Sequence, residues 1–219
     1  MSSRDAVVEK LFENVAKLCA EWQRVNSGAL RHVTGIINII TDVTHVQGEE
    51  WTQLCEGLDL SVEAKLASQL RMEHAKLRRA HTKLYTVLQA MQAQASKLQQ
   101  LPVQLPAQPQ QQEKEQQPAS HGDAGSPAPG PVFSTAPLGQ LRCVMAEMIE
   151  MYHKEIGLKA AILQDLPVCR DRDTLTIYAS TWVLQPFIDT VRAQELRSLL
   201  KADIDAHAVE KQRSHVNGA

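Results

Sequence analysis

Apolar residues recur along the first half of the chain at alternating steps of three and four. Val8, Leu11, Val15, Leu18, Trp22 and Val25 form one such stripe and predict an amphipathic helix. Asn26-Ser27-Gly28 predicts a stop or a kink. Beyond it, Leu30, Val33, Ile36, Ile37, Ile40 and Val43 cover a wider face, as a central helix with partners on two sides would. The stretch "GEEWTQLCEGLDL" breaks the pattern around Gly48 and Gly57. It predicts a connector with a short helix turning Trp51, Leu54 and Leu58 inward. Leu70, Leu77, Leu84, Met91 and Leu98 then recur every seven residues, a coiled-coil-like seam. Glu73, His74, His81 and Gln94 interrupt its flanks, so the seam favours packing within a bundle or against another subunit over a homodimeric zipper.

The periodicity stops at Pro102. Eight of the ten prolines fall between Pro102 and Pro137, among Gln, Gly and Ser with almost nothing to bury, which predicts a disordered linker. Helical pattern resumes near Ser134 and Thr135, ahead of Pro137, and carries Leu141, Met145, Met148, Tyr152, Ile156, Ala160 and Leu163 to a stop near Pro167. "DTLTIYASTWVLQPFID" is ambiguous. Thr174, Thr176, Ile177 and Tyr178 favour strand by propensity, whereas Leu175, Tyr178 and Trp182 fit helical spacing. A strand here would have no second strand to satisfy its backbone, so a helix capped by Asp171 or Asp173 and ended at Pro186 is predicted. A last helix begins at Asp189 or Thr190 and runs through Leu196, Leu199, Leu200 and Ile204. The expected organisation is therefore all-α. It has a helical, coiled-coil-like region over 1–101, a linker over 102–133, a helical bundle over 134–213 and a flexible tail over 214–219.

Composition agrees, with 4% aromatic residues and ten glycines in 219. A formal charge of −2 supplies no global attraction for nucleic acid or anionic lipid. The exception is local: Lys65, Arg71, Lys76, Arg78, Arg79, Lys83 and Lys97 outnumber Glu63 and Glu73 on the seam helix. Cys19, Cys55, Cys143 and Cys169 are scattered, and "MSSRDAVVEKL" lacks the apolar run of a signal peptide. Both fit reduced thiols in a soluble nuclear or cytosolic protein.

Candidate chemistry is sparse. Phosphate-loop, H-E-x-x-H, G-x-S-x-G and kinase motifs do not occur, and no cofactor is implied. His74 and His81 share a helix face, yet no carboxylate or thiol is spaced to complete a metal site, so they read as seam or solvated histidines. Glu147, Glu150 and Glu155 with His153 and Lys154 read as a solvated face with pairs such as Glu150–Lys154. The basic face, Arg71, Lys76, Arg78, Arg79 and Lys83, suits an acidic partner. A nucleic-acid- or ribosome-contacting module is the alternative. Ser126-Pro127 is a minimal proline-directed phosphorylation site. Two small helical groups bury a limited share of their surface alone. Tyr152, Trp182, Pro186 and Phe187 are therefore read as partner anchors, with a place in the core as the equal alternative for Tyr152 and Trp182.

"EMIEMYHKEIGLKAAILQDL" followed by "LTIYASTWVLQPFID" resembles the C-terminal signature of the cyclin-dependent-kinase-interacting protein family, CINP. The matching positions are Glu150, Met151, Tyr152, Lys154, Glu155, Leu158 and Lys159, then Leu175, Thr176, Trp182, Gln185, Pro186 and Phe187. Trp22 and Asn26 suit the family's W-x-x-L-N element, with Val25 in place of Leu; Gly157 and Ala179 depart from the signature. The resemblance implies a nuclear adaptor without catalytic residues, a cytoplasmic pool being allowed. Its implied partners are a cyclin-dependent kinase, an origin-firing kinase and the ATR/ATRIP pair. It also implies a hetero-oligomer with AAA-type ATPase subunits and a second small helical subunit, acting in large ribosomal subunit maturation and replisome protein turnover. Tyr152, Lys154, Leu158, Trp182, Gln185, Pro186 and Phe187 are the partner-binding residues it points to.

Overall fold

A computed structural model of the chain describes residues 3–46, 59–101, 138–195 and residue 198. The expected short helix at Trp51, the Pro-rich linker with Ser126, the turns of the last helix beyond residue 198 and the tail lie outside them.

The described residues form helices and the turns between them, with no strand among them. Helix α1 spans Ser3–Val46 and α2 spans Asp59–Gln100; α3 runs over Leu138–Asp165 and α4 over Arg172–Leu184. Helix α1 is unbroken through Asn26-Ser27-Gly28, contrary to the predicted stop. Helix propensity disfavours Gly by about 1 kcal/mol and Asn by less. Trp22, Val25, Ala29 and Val33 lie on one buried stripe across the site, and each large apolar side chain buried gives roughly 1.5–3 kcal/mol. Packing wins. Gly28 needs no special backbone, and a methyl group there would meet nothing within 4 Å. Gly28→Ala should therefore raise the unfolding free energy by about 0.5–1 kcal/mol in urea titration; destabilisation would show that the glycine serves a strained backbone.

The chain goes up and down. The start of α1 packs with the end of α2 and the start of α3 around Val8, Leu11, Trp22, Leu84, Met91, Leu141 and Met148. The second cluster joins Val33, Ile36 and Ile40 to Leu77, Ile162, Leu166, Leu175 and Trp182. The heptad leucines thus serve the interior of a bundle, with Leu77, Leu84, Met91 and Leu98 buried. His74 and His81 each point a ring nitrogen at a carbonyl of α3, Leu163 O at 3.0 Å and Ile156 O at 3.3 Å, stitching the two helices together. The described helices on either side of residues 102–137 share one core. Arg142 reinforces this by donating from α3 to the carbonyls of Leu98, Gln99 and Leu101 at the end of α2.

The ambiguous stretch is helix α4. Asp171 caps it, accepting from the Thr174 hydroxyl and from Thr174 N at 2.8 Å, and these bonds, the hydroxyl's first, hold the Asp171 carboxyl below its usual range. It ends at Gln185, whose φ of 49° is the one left-handed backbone among the described non-glycine residues. Helix returns over 190–195, with Asp189 accepting from Arg192 N at 2.9 Å.

Candidate functional site

The two apolar clusters meet at a polar node built where α4 ends. A helix C-terminus leaves carbonyls without helical partners, and here they are met from two other helices. Lys159 of α3 donates to Trp182 O at 3.1 Å, and Asn26 of α1 reaches the same oxygen at 3.4 Å. Lys159 also pairs with Glu155, one turn earlier, at 2.9 Å and lies 4.4 Å from the centre of the Trp182 ring. Its ammonium therefore has an anion, a carbonyl and an aromatic face around it. Both charged side chains are 0% exposed. Burial holds the Lys159 ammonium below the usual lysine range, against the attraction of Glu155. The other Glu155 oxygen accepts from Phe187 N at 3.2 Å, which secures the turn after α4.

Gln185 completes the node. Its left-handed backbone costs about 1–2 kcal/mol for a residue with a Cβ, and glycine would avoid that. The side chain offsets it: Gln185 Oε1 accepts from Trp22 Nε1 at 2.8 Å, while its Nε2 donates to Gln23 Oε1 at 3.0 Å. Tyr152 stands edge-on to Trp22, with ring centres 4.9 Å apart and planes at 83°. Trp22 and Asn26 from one end of the sequence thus meet Tyr152, Glu155, Lys159, Trp182 and Gln185 from the other. Trp22, Asn26, Tyr152, Glu155, Lys159, Trp182 and Gln185 are all buried. The geometry of the node does one thing: it fixes the end of α4 and the following turn onto α1 and α3.

The structure divides the expected partner-binding residues. Tyr152 and Trp182 are fully buried and so present nothing to a partner in this conformation; Gln185 is buried as well. Lys154 is exposed and pairs with Glu150 at 3.4 Å, and Leu158 is half-buried. Pro186 and Phe187 are displayed. Glu155, expected on a solvated face, lies in the core because the buried positions of α3 run Met148, Tyr152, Glu155, Lys159 and Ile162. Glu147 behaves as expected: it is exposed and meets Arg192 at 2.9 Å, which holds its carboxyl below the usual range.

Sequence periodicity did not single out the outer face of α4. Ile177, Val183, Leu184, Phe187 and Val191 are all exposed, Leu184 by 73%. They stand around Thr176 and Ser180, also exposed, and make an apolar strip that the node holds rigidly in place. The basic residues Arg71, Lys76, Arg78, Arg79 and Lys83 are exposed on α2. A groove of about 600 Å³ between α1 and α2 is lined by Arg31, His32, Gly35, Glu73 and Lys76. In it His32 Nδ1 meets Glu73 at 2.6 Å, and Lys76 takes the other carboxylate oxygen at 2.6 Å. These bonds, Lys76 first, hold Glu73 below the usual carboxylate range. The lining offers no hydroxyl or thiol for a nucleophile. No group of three or more potential metal ligands occurs among the described residues.

No protein-family model matches the chain. It is 37% identical over 79 residues to the cyclin-dependent kinase 2-interacting protein of Xenopus laevis, covering 36% of this chain and 37% of that protein. Identity to the Homo sapiens protein of the same name is 33% over 70 residues, and to the Bos taurus one 31% over 70 residues. Both matches cover 32% of this chain and 33% of the relative. The chain spans about a third of the length of the curated relatives it matches. Over these stretches, about a third of its length, the chain is similar to cyclin-dependent kinase 2-interacting proteins.

Proposed function

We propose that the protein is a non-enzymatic adaptor that docks a cyclin-dependent kinase on the outer face of α4. The relatives are named for interaction with cyclin-dependent kinase 2, and an interacting protein needs a displayed surface rather than a reactive pocket. One observation carries the reading: six of the nine large apolar side chains exposed in the described structure, Val168, Ile177, Val183, Leu184, Phe187 and Val191, fall on α4 and the segments just before and after it. Tyr152 and Trp182 support that surface from beneath. The wider roles implied by the resemblance follow the same logic: a nuclear hub that also meets an origin-firing kinase, ATR/ATRIP and AAA-type ATPase subunits with their small helical companion, in ribosome maturation and replisome turnover. The basic face of α2 is its second surface.

Leu184→Asp and Val183→Asp place a charge on the strip at positions already in water, so melting temperature should stay nearly unchanged. Recovery of the kinase in co-purification should fall at least about tenfold, as for a central interface anchor. Full recovery with either variant would remove α4 from the docking surface.

A further inference from the structure

Between His74 and Gln100, α2 carries no acidic residue, although the chain has 25. Glu73, just before this stretch, is turned toward α1 and engaged by His32 and Lys76. What faces outward is two rows along the helix: Met72, Lys76, Arg79 and Lys83 at steps of four and three, and Arg71, Ala75, Arg78 and Thr82 beside it. All eight are exposed. Arg71, Arg78 and Arg79 make no ion pair with any described residue, and Lys83 has only a longer-range attraction for Glu21. Two apolar groups frame the charges: Met72 is 53% exposed and Tyr85, one heptad beyond Arg78, is 49% exposed.

We infer that this strip is the docking site for an acidic amphipathic helix of a protein partner. Arginine supplies a planar fork that grips a carboxylate through two bonds. On a straight helix the span from Arg71 to Lys83 is roughly 18 Å, and Arg71 and Arg78 repeat after about 10.5 Å. A second helix laid alongside repeats its own side chains at that interval, so carboxylates two turns apart meet successive arginines. Ala75 and Thr82 are small and leave room beside Arg71 and Arg78 within their row. The apolar frame favours a protein: an amphipathic helix has leucine-type residues at the border of its acidic stripe to set on Met72 and Tyr85. The inference rests on the adaptor reading only in expecting a protein partner, and the strip is distinct from the α4 face.

The test uses the full chain and a synthetic 21-residue helix with a glutamate stripe bordered by leucines, its lysine counterpart, and a 20-nucleotide single-stranded RNA. At roughly 50 mM salt, where surface charges are weakly screened, the acidic helix should bind and the basic one should not. Arg78→Glu/Arg79→Glu should weaken binding at least about tenfold, and Met72→Ala/Tyr85→Ala by about three- to tenfold, with unchanged circular dichroism. Absence of acidic-helix binding, or binding that ignores the charge reversal, overturns the inference. So does capture of the RNA in preference to the acidic helix, with the steep salt dependence of phosphate contacts. Kinase recovery with these variants reports separately on the adaptor reading, because Leu184 and Val183 are untouched.

Discussion

Replacing Lys159 with Met while Glu155 remains is expected to lower the unfolding free energy by roughly 3–5 kcal/mol. The two side chains are wholly buried and 2.9 Å apart. Removing the ammonium strands a carboxylate in the core with only Phe187 N–H to stabilise it and leaves Trp182 O with the long bond from Asn26. Adding Glu155→Gln should recover a large part of the loss, because the amide oxygen still accepts from Phe187 while the stranded charge is gone. The pH dependence has a definite sign. Lys159 has a folded pKa below its ordinary 10.5, so in the window between the two values the unfolded chain binds more protons and stability rises with pH. Below that window the penalty for burying the charge is fully present. Urea titrations near neutrality and again at alkaline pH should show this rise in the parent, and it should be missing from the Lys159→Met variant. A loss below about 1 kcal/mol would mean that water reaches the pair.

Trp182→Ala should cost about 3–5 kcal/mol as a large cavity opens beneath α4. It should abolish kinase recovery as well, but through loss of the platform rather than loss of a contact. Phenylalanine separates the two tryptophans of the node. Trp182 Nε1 has no hydrogen-bond partner among the described residues, so Trp182→Phe keeps a ring over Lys159 and discards only an unpaired donor. Trp22 Nε1 serves Gln185, so Trp22→Phe leaves a buried amide oxygen without its donor and should cost about 1–3 kcal/mol more than Trp182→Phe. Thermal melts of the three variants test the order, and Trp182→Phe should retain kinase binding. Equal effects of the two phenylalanine variants would contradict the node as described.

The helices were legible because burial follows period: the stripes at Val8 to Val25 and at Leu77 to Leu98 are the buried ones. Helix α4 was legible by elimination, since no other segment offered a strand to pair with it. The break at Gly28 was misread because local propensity is worth about 1 kcal/mol and tertiary packing is worth more; the polar Asn26 that suggested a boundary is where α1 receives the end of α4. Glu155 and Lys159 were hidden by their own spacing, which is that of an ordinary surface pair. The signal that could have exposed them is the continuation of the stripe, Met148, Tyr152, then Glu155, Lys159 and Ile162, in which charged residues occupy core positions. The role of Gln185 had no sequence signal at all, because its left-handed backbone and its bonds to Trp22 and Gln23 join residues more than 160 positions apart.

Arg142 has a wider consequence. By gripping the last carbonyls of α2 from the first turns of α3, it ties the two helix ends together. The register of the two flanking helices thus has bonds of its own between described residues, beside the covalent path through residues 102–137.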